Sequence, residues 1–127
     1  MFGSIRRLYC SQAQTIDKHG GLKGLRDDGL LESALARPKN LFAYESVVDI
    51  RRLAVSYAVG ILRNHPFADG NKRAGFIALG MFLALNGLRL QVDAEEAGRT
   101  FFSAASGDIN EEELNAWVVA NTVAVEK

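Results

Sequence analysis

The chain of 127 residues is poor in cysteine, proline, tryptophan and histidine, with one, two, one and two residues respectively. A single cysteine cannot form a disulfide within the chain, so we expect a reducing compartment and a cytoplasmic location. Two widely separated histidines and one cysteine give no zinc-ligand spacing. The shortage of proline, together with abundant alanine and leucine, favours an all-helical fold.

The chain also lacks a net charge, with 15 basic and 15 acidic residues. A protein that binds duplex DNA usually carries a large basic excess, so direct binding of nucleic acid is a poor hypothesis. The charges are unevenly distributed: residues 1–73 contain 12 Lys and Arg against 7 Asp and Glu, and residues 74–127 contain 3 against 8. An anion site in the first half of the chain therefore stays open.

No hydrophobic run reaches the length of a membrane span. The longest apolar stretch, residues 74–85, has no polar side chain over twelve positions, whereas a spanning helix needs about 20. Residues 1–10 lack the apolar core and the small-residue cleavage site of a signal peptide. We therefore expect a soluble protein with no membrane partner, in which residues 74–85 form a central helix that is buried on all sides.

The chain shows no internal repeat, low-complexity tract or proline-rich linker, which predicts one compact domain over residues 1–127. Glycines, prolines and capping residues divide it into about six helices around the buried central helix. The predicted helices cover residues 5–18 and 30–36, the stretch from a cap at Ser46 to Asn64, residues 71–86, and two stretches that begin at Asp93 and Asn110.

Local signals define the best-supported of these helices. Ser46 with Asp49 fits a capping box, and residues 50–62 place apolar side chains at the helical spacing. The helix must end near Asn64, because His65 precedes a proline and is disfavoured in a helical conformation.

Two segments show no helical period. Residues 38–45 follow the second predicted helix and are expected to form a surface loop or short flap. Residues 88–92 alternate apolar and polar side chains, which predicts a short extended linker. The last two helices each begin at an aspartate or asparagine with a glutamate three residues later, which is typical of a helix N-terminus.

Residues 65–73 (HPFADGNKR) concentrate the side chains that could carry chemistry. His65 leaves the end of a helix, where a proton acceptor can be held at the edge of a cleft. Phe67 is the one large apolar residue there and is expected to anchor the loop to the core. Gly70 permits the unusual dihedrals of a phosphate-cradling turn. The amides of residues 70–73 fall in the first turn of the next helix, which is a natural anion site.

Lys72 and Arg73 are the most informative residues of this stretch. Cations are disfavoured at a helix N-terminus, where the macrodipole is already positive, by about 0.3–1 kcal/mol each. Two cations in succession indicate a compensating anionic ligand. Asp69 adds a carboxylate beside that site, which suits Mg²⁺ held together with phosphate oxygens.

Each of these side chains, taken alone, also has an ordinary structural explanation. The histidine could favour the C-terminal end of its helix electrostatically. Asp69 or Asn71 could be a helix cap, and Gly70 a simple turn residue. The two cations could be a solvated pair. Their combination within nine residues is what favours a functional site.

The stretch HPFADGNKR, followed by Ala74 and Gly75, resembles the signature H-x-F-x-[DE]-x-N-x-[RK] of the Fic/Doc superfamily. The lysine between the asparagine and the arginine is the variant of the Doc (death-on-curing) branch of toxins. Residues 26–38 (RDDGLLESALARP) also resemble a Doc-branch segment. The resemblance covers about residues 19–117. It implies a compact all-helical fold and the transfer of a group from a nucleotide to a protein hydroxyl.

The resemblance also implies a role for each residue of the motif. His65 is the general base for the target hydroxyl, and Asp69 is the Mg²⁺ ligand. Gly70 and Asn71 belong to the backbone cradle for the phosphates, and Arg73 binds a phosphate group.

Lys72 stands where relatives that transfer AMP have glycine. Doc-type toxins with this lysine resemble kinases in their activity. They bind ATP in a pose reversed from that of the AMP-transferring relatives, and they move its γ-phosphoryl group. The implied target class is elongation factor Tu, whose phosphorylation arrests translation and growth. The implied partner is the Phd-type antitoxin of a type II toxin–antitoxin pair.

Two other interpretations stay open. Gly70 departs slightly from the Doc branch, since some Doc proteins have alanine at that position. Transfer of AMP to a protein hydroxyl is therefore one alternative, and a catalytically silent binding module is the other.

Overall fold

The computed structural model describes the backbone of residues 23–25, 28–64, 67–69 and 71–125, and the side chains of residues 29–64 and 71–125. These parts contain five α-helices and four short strands. In chain order they are β1 (Lys23–Leu25), α1 (Asp28–Glu45), α2 (Ile50–Asn64), β2 (Phe67–Asp69), α3 (Asn71–Leu85), β3 (Leu88–Leu90), α4 (Ala94–Ser106), α5 (Glu111–Asn121) and β4 (Thr122–Ala124).

The predicted all-α fold is confirmed. The described residues contain five helices where about six were expected. The helix predicted for residues 5–18 lies outside the described residues, and the single domain over residues 1–127 stays a prediction.

Helix α2 lies at the centre of these elements. Residues 53–62 are buried without interruption, and α2 packs against the other four helices. The buried central helix is therefore α2 rather than residues 74–85. Helix α3 buries one side only, and its Leu85 is 45% exposed. Of the helices that the structure describes, none is long and apolar enough to cross a bilayer.

Two glycines let α2 approach its neighbours closely. A Cβ atom on Gly60 of α2 would lie 3.1 Å from both the Cα and the carbonyl oxygen of Ala34 in α1. A Cβ atom on Gly75 of α3 would lie 3.3 Å from the carbonyl oxygen of Ala58 in α2. Backbone atoms cannot rotate away as a side chain can. The two glycines therefore set how closely α1 and α3 pack against α2.

Helix α1 continues without a break through Pro38, so the prediction of a loop or flap over residues 38–45 is wrong. Proline has no N–H to donate to the carbonyl of Ala34, which disfavours it in an isolated helix by about 3 kcal/mol. Here Pro38 is fully buried, and Gly60 of α2 packs against that carbonyl. Arg37, the preceding residue, is bonded to both α2 and α5. Tertiary packing thus outweighs the local helix-breaking tendency.

The connection between α1 and α2 differs from the predicted capping box. Ser46 has a φ of 57°, which is left-handed, whereas an N-cap residue is extended. Asp49 caps α2 instead: its carboxylate accepts a hydrogen bond from the Arg51 N–H at 3.0 Å. The Asp49 carbonyl also accepts from the Leu53 N–H at 3.0 Å. The prediction of Ser46 as the cap is wrong because this residue turns the chain at the end of α1.

The predicted starts of the last two helices are confirmed. The Asp93 carboxylate accepts a hydrogen bond from the Glu96 N–H at 2.7 Å and caps α4. Asn110 and Glu113 form a reciprocal capping box at the start of α5. At these two termini the local sequence signal and the tertiary structure agree.

The predicted extended linker after α3 contains a strand. Gly87, with a φ of 77°, turns the chain after α3, and β3 then pairs antiparallel with β4. Leu88 lies opposite Ala124, and Leu90 lies opposite Thr122. This two-stranded sheet joins the chain after α3 to the chain after α5.

We expect Gly60→Ala to lower the free energy of unfolding by about 1–3 kcal/mol, because the added methyl group forces α1 away from α2. Gly80→Ala is the matched control. Gly80 lies inside α3, where an added Cβ atom would meet nothing within 4 Å beyond its chain neighbours and the backbone of its own helix, so alanine should raise this free energy by about 0.5–1 kcal/mol. Urea denaturation followed by circular dichroism measures both. Equal effects of the two substitutions would contradict the close packing of α1 on α2.

Candidate functional site

The stretch from residue 65 to residue 73 connects the end of α2 to the start of α3. Within it, β2 pairs antiparallel with β1, so that Phe67 lies opposite Leu25 and Asp69 lies opposite Lys23. The backbone that precedes α1 therefore runs beside the predicted phosphate loop. The sequence did not predict this pairing, because three-residue strands are too short to show a period and their partners are far apart in the chain.

Asn71, Lys72 and Arg73 form the first turn of α3. Asn71 is half-buried, and the two cations are exposed. No acidic side chain lies in this turn. The backbone N–H groups at this end of a helix already carry partial positive charge, to which the two cations add. This arrangement favours an anionic ligand such as phosphate, although its binding there stays a prediction.

The remaining residues of the motif are described less fully. Phe67 and Asp69 have a described backbone only, and His65 and Gly70 lie outside the described residues. The assignments of His65 as base, Asp69 as Mg²⁺ ligand, Phe67 as loop anchor and Gly70 as part of the cradle therefore stay predictions.

The end of α2 that leads into the motif is held against α1. The side-chain Nδ2 of Asn64 donates a hydrogen bond to the carbonyl oxygen of Leu30 at 3.0 Å. Asn64 is the last residue of α2 and immediately precedes His65. The last residue of α2 therefore lies at a defined place relative to α1.

Lys72 lies beside an aromatic ring from another helix. Its Nζ atom is 5.5 Å from the centroid of the Phe102 ring in α4, which is within the range of a cation–π interaction. Phe102 is 60% exposed. Sequence reasoning missed this contact. The sequence signal that could have indicated it is the adjacent pair Phe101 and Phe102. Adjacent helical residues cannot both face the core, so one of the two rings must lie at the surface.

A second cluster, also missed from the sequence, joins α1, α2 and α5. Arg37 makes two hydrogen bonds to the Glu111 carboxylate, from Nη2 to Oε1 at 2.7 Å and from Nη1 to Oε2 at 3.1 Å. Arg52 also donates to Oε2, and Arg63 lies 3.8 Å from Oε1. The Nη1 of Arg37 further donates to the hydroxyl of the buried Ser56 at 3.1 Å.

The Glu111 carboxylate is only 12% exposed. Burial alone would raise the pKa of this carboxyl, but the hydrogen bonds and charges of Arg37 and Arg52 outweigh it and hold the pKa below its ordinary value. The carboxylate is therefore ionised at neutral pH. It ties the start of α5 to α1 and α2, and α2 leads into the motif.

Two residues of this cluster, Arg63 and Glu111, line a cleft of about 420 Å³ between α2, α4 and the start of α5. Apolar side chains of α2, α4 and the connection between α4 and α5 line about half of it, including Leu62, Ala104 and Ile109. Arg63 and Glu111 contribute the charged groups. The cleft thus reaches the last turn of α2, which precedes the motif in the chain.

In the part of the chain that the structure describes, no three His, Cys, Asp or Glu residues lie close enough together to form a metal site. Asp69, the predicted Mg²⁺ ligand, has no described side chain. A single carboxylate with phosphate oxygens supplies the hard oxygen ligands that Mg²⁺ prefers. The predicted donor set is therefore chemically suited to Mg²⁺.

The Fic/DOC family model matches residues 4–83. This span covers more than half of the chain and includes the whole HPFADGNKR stretch. The chain belongs to the Fic/DOC family. The match ends within α3, so that α4 with Phe102, and α5 with Glu111, lie beyond the part that the Fic/DOC model covers.

Two curated relatives are similar to this chain. Protein kinase doc of Escherichia phage P1 is 34% identical over 95 residues, which are 75% of this chain and 75% of the relative. Toxin Doc of Mycolicibacterium smegmatis is 36% identical over 75 residues, which are 58% of each chain. The resemblance to the Doc branch that the motif indicates is confirmed.

We expect Glu111→Gln to lower the free energy of unfolding at pH 7 by about 1–3 kcal/mol, because two arginines lose their charged partner. The pKa of Glu111 is lowered from an ordinary value of 4.5. Its ionisation therefore stabilises the fold above pH 4.5, and this stabilisation is lost as the pH falls through the lower, folded-state pKa. Urea denaturation at several pH values below 4.5 should therefore show that the free energy of unfolding falls less with decreasing pH in the variant than in the wild type.

The matched control for this prediction is Glu112→Gln, which removes the same charge from the next, exposed residue. We expect it to change the free energy of unfolding at pH 7 by less than about 0.5 kcal/mol. An equal loss in both variants would mean that the charge of the first turn, and not the arginine contacts of Glu111, stabilises the fold.

Proposed function

We propose that this protein is a Doc-like kinase toxin that transfers the γ-phosphoryl group of ATP to a hydroxyl group of a protein. Its membership of the Fic/DOC family supports the class of reaction. The similarity to proteins named Protein kinase doc and Toxin Doc supports a kinase and a toxin within that class. The proposed place of action is the cytoplasm.

The observation that carries the proposal is the position of Lys72. It stands between Asn71 and Arg73 in the first turn of α3, exposed and with no acidic residue in the same turn. A long cationic side chain at this position fills the space that glycine would leave for the terminal phosphates of a nucleotide in the AMP-transferring pose. It also attracts a phosphate group in the opposite pose, which presents the γ-phosphorus to the target.

The proposed reaction assigns one step to each group. His65 accepts the proton of the target hydroxyl, and the hydroxyl oxygen forms a bond to the γ-phosphorus. The bond from that phosphorus to the bridging oxygen breaks, and ADP leaves. Lys72, Arg73 and the first-turn amides of α3 stabilise the negative charge on the transferred group. Phosphoryl transfer needs positioning and charge neutralisation more than covalent chemistry, and this set of groups suits that need.

Asp69 is the proposed ligand of the Mg²⁺ that accompanies ATP. The ion, when bound, neutralises charge on the β- and γ-phosphates. Gly70 and Asn71 contribute backbone groups to the phosphate cradle, and Phe67 anchors the loop.

The proposed biological role is that of the toxin in a type II toxin–antitoxin pair. Its target is a hydroxyl group on a translation factor of the elongation factor Tu class, and phosphorylation of that factor arrests translation and growth. A Phd-type antitoxin is the proposed partner. The proposed activity requires neither nucleic acid nor a membrane as a partner.

We expect purified wild-type protein with Mg²⁺ to label elongation factor Tu from γ-³²P-ATP and not from α-³²P-ATP. Lys72→Gly should lose this label and gain at most weak label from α-³²P-ATP. Lys39→Gly is the matched control, since it removes another exposed lysine, on α1. His65→Ala removes the proposed base and should lower the rate by about 10²–10⁴-fold, whereas His19→Ala removes the other histidine and should not.

Three outcomes would change the proposal. Label from α-³²P-ATP with the wild type would assign the protein to AMP transfer. Label on another protein of a bacterial lysate, but not on elongation factor Tu, would keep the kinase and reject the target. Label on no protein from either nucleotide would favour a binding module without catalytic activity.

A further inference from the structure

The contact between Lys72 and Phe102 joins the predicted phosphate site to a helix that lies outside the Fic/DOC match. Phe102 leaves 60% of its surface exposed to water, although burial would stabilise an aromatic ring more. Its face meets the ammonium group of Lys72 at 5.5 Å. The electron-rich face of the ring attracts a cation, and so offsets the repulsion that Lys72 experiences from the N-terminus of α3.

The position of Phe102 is set by its neighbour Phe101, which is buried in the core at 2% exposure. The centroid of the Phe101 ring lies 5.3 Å from that of the Phe76 ring in α3, and the two ring planes meet edge to face at 89°. It also lies 6.4 Å from the Trp117 ring of α5. The indole Nε1 of Trp117 donates a hydrogen bond to Glu96 of α4 at 3.0 Å. Helix α4 is therefore held against both α3 and α5 at this level.

Helix α3 carries Phe76, which contacts Phe101, on the same face as Lys72. Lys72 and Phe76 are four residues apart in one helix, so they lie on the same face, one turn from each other. Phe76 contacts Phe101, and Lys72 contacts the next residue of α4. The packing of the core at Phe101 thus places the ring of Phe102 alongside the first turn of α3.

We propose that Phe102 is a positioning residue for phosphoryl transfer, which holds the Lys72 ammonium at the phosphate site before the nucleotide binds. This inference rests on the proposed function. A lysine side chain has many rotamers, and ordering it on binding is unfavourable. A ring that restricts it beforehand removes part of this unfavourable entropy from the binding and transfer steps.

The contact itself is tested without any enzyme activity, by NMR of the free protein. Protons that lie over the face of a ring are shifted upfield, so the Cε protons of Lys72 should resonate upfield of those of Lys39, which is exposed on α1. The Lys72→Arg spectrum identifies the signal. Phe102→Leu should abolish the shift, whereas Phe102→Trp and Phe102→Tyr should keep it, because both retain an aromatic face.

The role in transfer is tested with the same variants and γ-³²P-ATP. Phe102→Leu should lower kcat/KM by about two- to fivefold, and Phe102→Trp should restore it to the wild-type value or above. Tyr44→Leu is the matched control, since Tyr44 is an aromatic residue on the last turn of α1 and is 83% exposed. It should leave kcat/KM unchanged. Circular dichroism melts of all variants report any loss of folding.

The outcomes separate this proposal from the proposed function. Transfer by Phe102→Leu at the wild-type rate would overturn the positioning role while leaving the kinase intact. Loss of transfer in both Phe102→Leu and Phe102→Trp would also overturn it, since a cation–π contact is restored by tryptophan. If the wild type transfers no phosphate, the proposed function fails. The upfield shift and its loss in Phe102→Leu would then still support the positioning of Lys72, and an unshifted Lys72 signal would overturn it.

Discussion

The packing of α2 between α1 and α3 is the constraint on which the candidate site depends. Gly60 and Gly75 bring backbone against backbone on the two sides of α2, so the three helices have little freedom to shift. The motif begins where α2 ends and finishes in the first turn of α3. Asn64 ties the end of α2 to α1, and Glu111 ties α5 to the same pair of helices. A site that works by positioning charges needs such a rigid support.

The sequence predicted those helices whose local signals agree with their tertiary environment. The end of α2 before a proline and the caps at Asp93 and Asn110 are of this kind. Prediction from the sequence failed where tertiary packing outweighs the local conformational preference of a residue. Pro38 lies inside a helix in which it is fully buried and which packs closely on α2 at Ala34. Ser46 is left-handed because the chain turns there. Apolar composition also wrongly indicated residues 74–85 as the central helix. The helix with neighbours on every side is α2, and composition does not reveal which helix has such neighbours.

The candidate site was predictable to the extent that it is contiguous in the chain. Lys72 and Arg73 break the charge rule for a helix N-terminus, and this local anomaly is visible without a structure. The contacts that connect the site to the rest of the fold come from distant residues. Phe102 reaches Lys72 from α4, and Glu111 reaches Arg37 from α5. No periodicity pairs such residues, because each contact depends on how whole helices pack.

The central claim is that the first turn of α3 receives the terminal phosphates of ATP. A crystal structure of the protein with Mg²⁺ and a non-hydrolysable ATP analogue tests it most directly. We predict the γ-phosphate at the backbone N–H groups of this turn, within hydrogen-bonding distance of the Lys72 ammonium, with Mg²⁺ bound to the Asp69 carboxylate. A triphosphate bound in the cleft beside Arg63, or one whose α-phosphate occupies the first turn of α3, would contradict the account.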